Sequence, residues 1–215
     1  MKDKICPVCS NHAHWRLKKQ NTDYHQCTSC LTLFSDPLDN SNMVGGGNEV
    51  ARNEEQNHLR IERIDAMCHN QHLSDIRVLD FGCGHFMFGN DLISHGYRCD
   101  GYDVFNEKYS KLPEKGVYDI VTMVEVIEHT SAPFAELDVI HRSLVPGGIV
   151  MIETSFVNIS QQEGIELEDF FYIDPSVGHS TIFSHHGLDV LMCLKGFKPI
   201  SHWNRHVRGY QKISK

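Results

Sequence analysis

The chain has 215 residues, a formal charge of −8 and an ordinary globular make-up in which 40% of residues are hydrophobic. That length supports one full core plus a small appendage. The acidic balance argues against broad, nonspecific nucleic-acid binding, and no apolar run approaches the ~18 residues of a membrane span.

The charge is uneven. Residues 1–36 carry five Lys/Arg against three acids, and after Asp189 there are six Lys/Arg and no acid. Scattered solvated lysines are the ordinary outcome of such a pattern; a basic face at the termini is the alternative. The opening MKDKICPVCS lacks the apolar stretch of a signal peptide. The expected location is the cytoplasm.

The first 36 residues read as a separate small module. Cys6-Pro7-Val8-Cys9 and Cys27-Thr28-Ser29-Cys30 give C-x2-C-x17-C-x2-C. That spacing suits a four-thiolate tetrahedral zinc site, with each pair on a tight turn and a hairpin between them. Zinc would supply much of the folding free energy of so small a core. Two redox C-x-x-C pairs are the weaker alternative, since neither opens the helix of a βαβ unit. Four cysteines close the shell, so His12, His14 and His25 are read as surface residues. Cys68, Cys83, Cys99 and Cys193 form no second metal pattern and are expected to pack as inert thiols.

Residues 37–49, PLDNSNMVGGGNE, read as a linker, and residues 50–215 as the main domain. Val50 to Cys68 has helical spacing at Leu59, Ile61, Ile64 and Met67. Strands are expected at Arg77–Phe81, Tyr97–Tyr102, Asp119–Val124 and Ile149–Thr154. Helices are expected at Phe88–His95, Phe134–Ser143 and His185–Leu194, with Gly96 and Gly196 as stops. Two closing strand-like pieces, Lys198–Asn204 and Gly209–Ser214, suggest an antiparallel ending. The alternation predicts an α/β, doubly wound, mostly parallel sheet.

Residues 78–84 read VLDFGCG, and Asp103 closes the next apolar run. Gly82 and Gly84 permit a tight strand-to-helix turn and a close ligand approach. Asp103 lies where a doubly wound fold places an acid for ribose hydroxyls. A dinucleotide such as NAD and a purely structural glycine turn remain open on this motif alone.

VLDFGCG, GYD, YDIVTMVEVIEH, LVPGGIVMIET and the late GF, taken in order, resemble the class I S-adenosylmethionine-dependent methyltransferases. The resemblance covers about residues 50–215. With the cysteine ribbon, the chain looks like the subgroup that joins a zinc ribbon to a compact methyltransferase domain. The resemblance implies S-adenosylmethionine as cofactor, with its methionine part along Gly82 and Gly84. Asp80 would hold the turn or reach the cofactor amino group. Asp103 would accept from both ribose hydroxyls, and Val104 and Phe105 would touch adenine. Met123 and Val124 would pack near the adenine or the sulfonium, and Glu125 would line the pocket. Two departures stand out. Phe86 replaces a third glycine, and only fourteen residues separate Asp103 from Tyr118, too few for a regular helix and a third strand.

Methyl transfer depends mainly on positioning, with a base where the acceptor is a hydroxyl, amine or acidic carbon. His179 is the first candidate for base or substrate contact. His129 is the second, with a capping or supporting role as its alternative. His185 and His186 follow Ser184, a helix cap. Asn158 to Tyr172 would cover the cleft, with Phe170, Phe171 and Tyr172 as an apolar wall or as core. The expected acceptor is a small molecule or a carrier-linked sugar or envelope intermediate, on the resemblance alone. An RNA or protein methyltransferase docked by the ribbon would need a basic aromatic face, of which Trp15, Arg16, Lys18 and Lys19 are a thin version. A noncatalytic protein that lost cofactor affinity at Phe86 is the third reading.

Overall fold

A computed structural model describes residues 3–38, 50–68, 71–130 and 132–214. From residue 39 onward, the expected linker lies outside the described residues. Four short strands come first: β1 (Lys4–Ile5), β2 (His12–Lys19), β3 (Thr22–Cys27) and β4 (Leu33–Phe34). Then follow α1 (Val50–Met67), β5 (Arg77–Phe81), α2 (Met87–His95), β6 (Arg98–Tyr102) and β7 (Tyr118–Val124). The chain continues through α3 (Pro133–Ser143), β8 (Leu144–Glu153), α4 (Val157–Glu163), β9 (Thr181–Ile182), α5 (His185–Leu194), β10 (Phe197–His202) and β11 (Val207–Lys212).

The main sheet has the order β10-β11-β8-β7-β5-β6. Strands β6, β5, β7 and β8 run parallel, and β11 and β10 add an antiparallel end. Central strands are buried because helices cover both faces; Val78, Leu79, Val121 and Val150 are all at most 1% exposed. The short Asp103–Tyr118 connection holds only a single 3-10 turn, Glu107–Tyr109, so β6 is the edge strand. Strand β8 starts earlier than expected. It runs through Pro146-Gly147-Gly148, with Gly147 at φ +76° and a register shift opposite Tyr118/Ile120. A bulge lets the strand pass a proline that a regular ladder would exclude.

Helix α1 is clamped by charge as well as by packing. Arg60, 5% exposed, donates to both carboxylate oxygens of Glu153 at the end of β8, at 3.1 and 2.5 Å. Its other nitrogen holds Asn57, which in turn donates to Asp91 on α2. The helix is thereby fixed beside the carboxyl ends of the strands.

The first four strands form a second sheet, and its fifth member is β9 from far along the chain, giving β1-β2-β3-β4-β9. Leu33 pairs with Ile182 and Phe34 with Thr181. One core cluster runs without a break from Val8, Leu17 and Tyr24 to Phe156, Phe170, Phe183 and Leu188. The Tyr24 hydroxyl donates to the His179 carbonyl at 2.6 Å, Lys19 to the Phe170 carbonyl at 2.9 Å, and Ser184 to the Cys30 carbonyl. A module too small for its own core thus borrows one. His25 corrects the surface reading: it is 5% exposed, and burial lowers its pKa. His12 and His14 are exposed as expected.

Gly187 on α5 is the tightest point of this seam. A Cβ there would lie 2.0 Å from Thr32 Oγ1, and Thr32 is fully buried. Helix propensity alone would make Gly187→Ala stabilising by up to ~1 kcal/mol. Overpacking typically costs ~1–3 kcal/mol and should win. The expected result is a lower denaturation midpoint for Gly187→Ala; an unchanged or raised midpoint would show that the seam yields.

Candidate active site

The carboxyl ends of β5, β6, β7 and β8 lie side by side, and each is followed by polar residues. After β5 the chain turns at Gly82 (φ +77°) and Gly84 (φ +51°). A Cβ on Gly82 would lie 2.4 Å from Val126, so both conformation and space demand glycine there. Gly82 and Cys83 donate their amides to the Tyr102 carbonyl, locking the turn to β6. Asp80 sits beneath the turn, 4% exposed, and accepts from Thr122 at 3.2 Å. Burial pushes its carboxyl up to about 7, against hydrogen bonds from Thr122 and the Gly89 amide.

Asp103 faces the turn across the strand ends. One oxygen accepts from the Gly84 amide at 2.8 Å, the other from the Phe105 and Asn106 amides at 2.8 and 3.1 Å. An ionised carboxylate offers about four acceptor positions, so room for one further donor remains. Asp103 therefore organises the turn itself through three backbone amides. Beyond it, Val104 and Phe105 are 64% and 45% exposed, an open apolar surface next to the turn.

Phe86 takes the left-handed conformation, φ +63°, that a third glycine would adopt without strain. Its ring turns inward: it is 7% exposed, it lies 5.1 Å from the Tyr109 ring, and it occupies the volume above Gly89 and Gly101. Glycine at those two positions makes the space that the large residue fills.

The segment after β7 gathers the charged groups. Glu125 (φ +53°) is open to solvent on one side and crowded by protein on the others. Glu128 is fully buried. Its side chain accepts from Tyr172 at 2.5 Å and from Thr154 at 3.0 Å. Tyr172 also stands 2.9 Å from Glu125. Its single proton cannot serve both carboxylates at once. Burial first, and then for Glu125 the charge of Glu128, raise both carboxyls above their usual range. His129 and His179 close the cluster with ring centres 4.7 Å apart, and burial lowers the pKa of each. His179 Nδ1 lies 2.7 Å from the Tyr172 carbonyl, so that nitrogen carries the proton and Nε2 keeps the lone pair.

In the ribbon, Cys6, Cys9, Cys27 and Cys30 bring their sulfurs together within 4.8 Å. Cys6 and Cys30 are 3.6 Å apart, Cys9 and Cys27 3.4 Å, and none is in a disulfide. Four thiolates around one zinc at ~2.3 Å would stand about 3.8 Å apart. The Cys6–Cys30 and Cys9–Cys27 separations lie close to that spacing, so the cluster suits a tetrahedral ion. The Cys6 contact pulls the Cys30 thiol down to about 4, and the same contact together with burial raises Cys6.

The structure thus brings together Asp80, Gly82, Gly84 and Asp103 at one end of the strand edge, and Glu125, His129 and His179 at the other. Met123 is 0% exposed and packed within the core. The apolar wall is mixed, since Phe170 is core, Phe171 is 70% exposed and Tyr172 turns its hydroxyl to the glutamates. Glu128, Tyr172, Thr154 and Arg60 escaped sequence reasoning as polar site residues. The repeated acid in Glu125-x-x-Glu128-His129 was the available signal for the first.

A glycine turn, an acid on the neighbouring strand and a polar loop after the next one, all on one edge of a mixed sheet, form the cofactor-site arrangement of a Rossmann-like fold. A model of the methyltransferase domain matches residues 50–202, and the chain belongs to that family. The ubiquinone biosynthesis O-methyltransferase of Paraburkholderia xenovorans is 28% identical over 128 residues, covering 49% of this chain and 54% of that protein. The chain spans about half the length of the curated relatives it matches. Among solved structures, 1,6-didemethyltoxoflavin-N1-methyltransferase of Burkholderia thailandensis superposes with a TM-score of 0.52 at 15% identity, covering 94% of this chain and all of that one. An S-adenosylmethionine-dependent methyltransferase of Mesorhizobium loti gives 0.51 at 14%, covering 70% and 96%. These two likenesses establish the fold. No helix among the described residues is long and apolar enough to cross a membrane.

The buried Asp80 carboxyl gives a pH signature. Folded, it keeps its proton up to about pH 7; unfolded, it releases it near ~4. Folding therefore takes up a proton between these values. The associated stability is complete below the lower one and lost as pH rises to the upper. Asp80→Asn stays neutral throughout. In denaturant titrations from pH 4 to 8, the variant should gain on the wild type as pH rises through this window; a pH-independent difference would refute the shift.

Proposed function

We propose that this protein transfers a methyl group from S-adenosylmethionine to a small-molecule or carrier-linked acceptor, with oxygen as the acceptor atom. The observation that carries the reading is the shared strand edge: a locked glycine turn with Asp103 at one end, and a protein-lined glutamate–histidine cluster at the other. The glycine turn and Asp103 would hold the methionine and ribose parts, with Asp103 using its one remaining acceptor position. Val104 and Phe105 would support adenine. Asp80 would meet the amino group from below. The bound cofactor supplies an already activated methyl, so the residues mainly position the acceptor and exclude water.

Family membership supports the reaction class, and the O-methyltransferase names of the relatives favour oxygen. The toxoflavin enzyme, solved with its small heterocyclic substrate and S-adenosylhomocysteine, favours a small acceptor. His179 and His129 would act as acceptor contacts or bases at the far end. The ribbon offers little to RNA: Arg16 is directed to Glu168, Lys19 to the Phe170 carbonyl and Lys4 to Asp36. These pairings weaken the docking alternative.

Calorimetry with S-adenosylmethionine and S-adenosylhomocysteine tests the proposal directly. Both should bind, and Asp103→Ala should weaken each at least ~10-fold, since the variant leaves three backbone amides without their acceptor. Absence of binding to folded protein would end the enzyme reading.

The four-cysteine cluster is proposed to hold one structural zinc, which suits a reducing compartment such as the cytoplasm. Because ribbon and main domain share a core, metal loss should be felt throughout. Cys27→Ser should lose its zinc by elemental analysis and lower the midpoint of the whole chain. Retained zinc, or an intact midpoint without it, would contradict this.

A further inference from the structure

Arg208 on β11 is a buried cation without a counter-charge. It is 5% exposed, and among the described residues no carboxylate stands within ion-pair distance of it. Its Nη1 donates to the Asn204 carbonyl at 3.2 Å. Its Nε is sealed from solvent and meets no acceptor, and Nη2 makes no hydrogen bond with the described residues. Asp189 and Tyr210 are the groups whose charge acts on it, and they are engaged with each other: the Tyr210 hydroxyl donates to Asp189 at 2.7 Å. Arg60 is buried to the same degree and shows the contrast, since Glu153 takes its guanidinium with both oxygens. A charge at this depth is tolerated when it is paired. The missing partner is an anion, and the chain does not supply one.

The surroundings of the guanidinium place that anion. It lies against the Phe156 ring, 5.3 Å from its centre, and the His185 ring meets the same ring edge-on at 4.5 Å. The bond to Asn204 holds it beneath the turn between β10 and β11. Asn204 shapes that turn by accepting the His206 and Val207 amides. Two further basic groups come from the turn. Arg205 is half exposed and drawn to Glu163, and His206 has its Nδ1 3.1 Å from Ser155 Oγ. The turn stands on the same strand edge as the glutamate–histidine cluster. Val207 pairs with Glu153, and the Thr154 amide donates to the His206 carbonyl while its hydroxyl holds Glu128.

We propose that Arg208, with Arg205 and His206 beside it, binds a phosphate group carried by the methyl acceptor. Nε and Nη2 of a guanidinium form one fork, which pairs with an oxyanion through two parallel bonds. Donors arriving from the turn as well suit a tetrahedral, multiply charged group better than a flat carboxylate. The Phe156 ring gives the subsite an apolar floor. The acceptor class is therefore a phosphate ester or a diphosphate-linked molecule. The acceptor part rests on the methyl-transfer reading; the anion site itself does not.

The test uses the full zinc-loaded chain, titrated with inorganic pyrophosphate at constant ionic strength. Nitrogen–proton spectra of the arginine Nε–H groups follow the titration, and acetate is the matched control. Saturable binding is expected, together with a shift of the Arg208 Nε–H resonance, which a purely structural arginine would not show. Arg208→Met should weaken pyrophosphate at least ~10-fold, the scale of losing charge-assisted bonds. Arg205→Ala, at an exposed position, should weaken it ~3-fold and is the safeguard should Arg208→Met fail to fold. Circular dichroism and zinc content establish that each variant is folded. No saturable binding at millimolar concentration, a stationary Arg208 resonance, or unchanged binding in the folded variants overturns the site. Acetate binding as tightly as pyrophosphate overturns the phosphate assignment. Calorimetry with S-adenosylmethionine on the same samples separates the two readings. Pyrophosphate binding without cofactor binding keeps the anion site and removes its role in holding an acceptor; cofactor binding without pyrophosphate binding removes the site and keeps the proposed function.

Discussion

Glu128 ties the molecule together. Its backbone carbonyl accepts from the amides of Ser180 and Thr181, which lead into β9. Its side chain accepts from Thr154 at the end of β8 and from Tyr172 in the segment between α4 and β9. One fully buried residue thus joins two central strand ends, the segment between α4 and β9, and the strand that enters the ribbon sheet. A carboxylate taken out of water at this depth is tolerated only with such partners. Removing one of them would leave a buried polar oxygen of Glu128 without its partner.

The ribbon follows from the same geometry. Strand β9 pairs its Thr181 and Ile182 with Phe34 and Leu33 of the ribbon. Tyr24 reaches the carbonyl of His179 from the ribbon side, while Tyr172 holds the ring of the same residue through its own carbonyl. His179 is therefore fixed by both layers. The ribbon works as a wall of the main domain, and its aromatic core residues are spent on that wall rather than on a separate binding face.

Much of the architecture was legible in the sequence, because it rests on local rules. The strand–helix alternation, the four paired cysteines and the glycine turn all have short-range signatures, and the fourteen-residue gap after Asp103 correctly implied a shortened sheet edge. Phe86 was legible as a departure but not in its outcome. Whether its ring narrows a pocket or fills a core depends on Gly89 and Gly101, and Gly101 lies on a different strand. The surface reading of His25 failed for a related reason. A strand position alternates between two faces, and only the neighbouring layers decide which face is covered.

By itself, the sequence determined the order of elements, the thiol cluster and the address of the glycine turn with Asp103, since each depends on residue type at fixed spacing. Tertiary structure alone decided that β9 would extend the ribbon sheet, that Asp103 would spend most of its acceptor capacity on backbone amides, and that Glu128, His129 and His179 would converge. The long-range contacts among them run from Gly84 with Asp103 to Leu33 with Ile182, while the Phe105 and Asn106 amides that Asp103 also takes are local. No local propensity encodes such meetings; they are set by the core that both layers bury together.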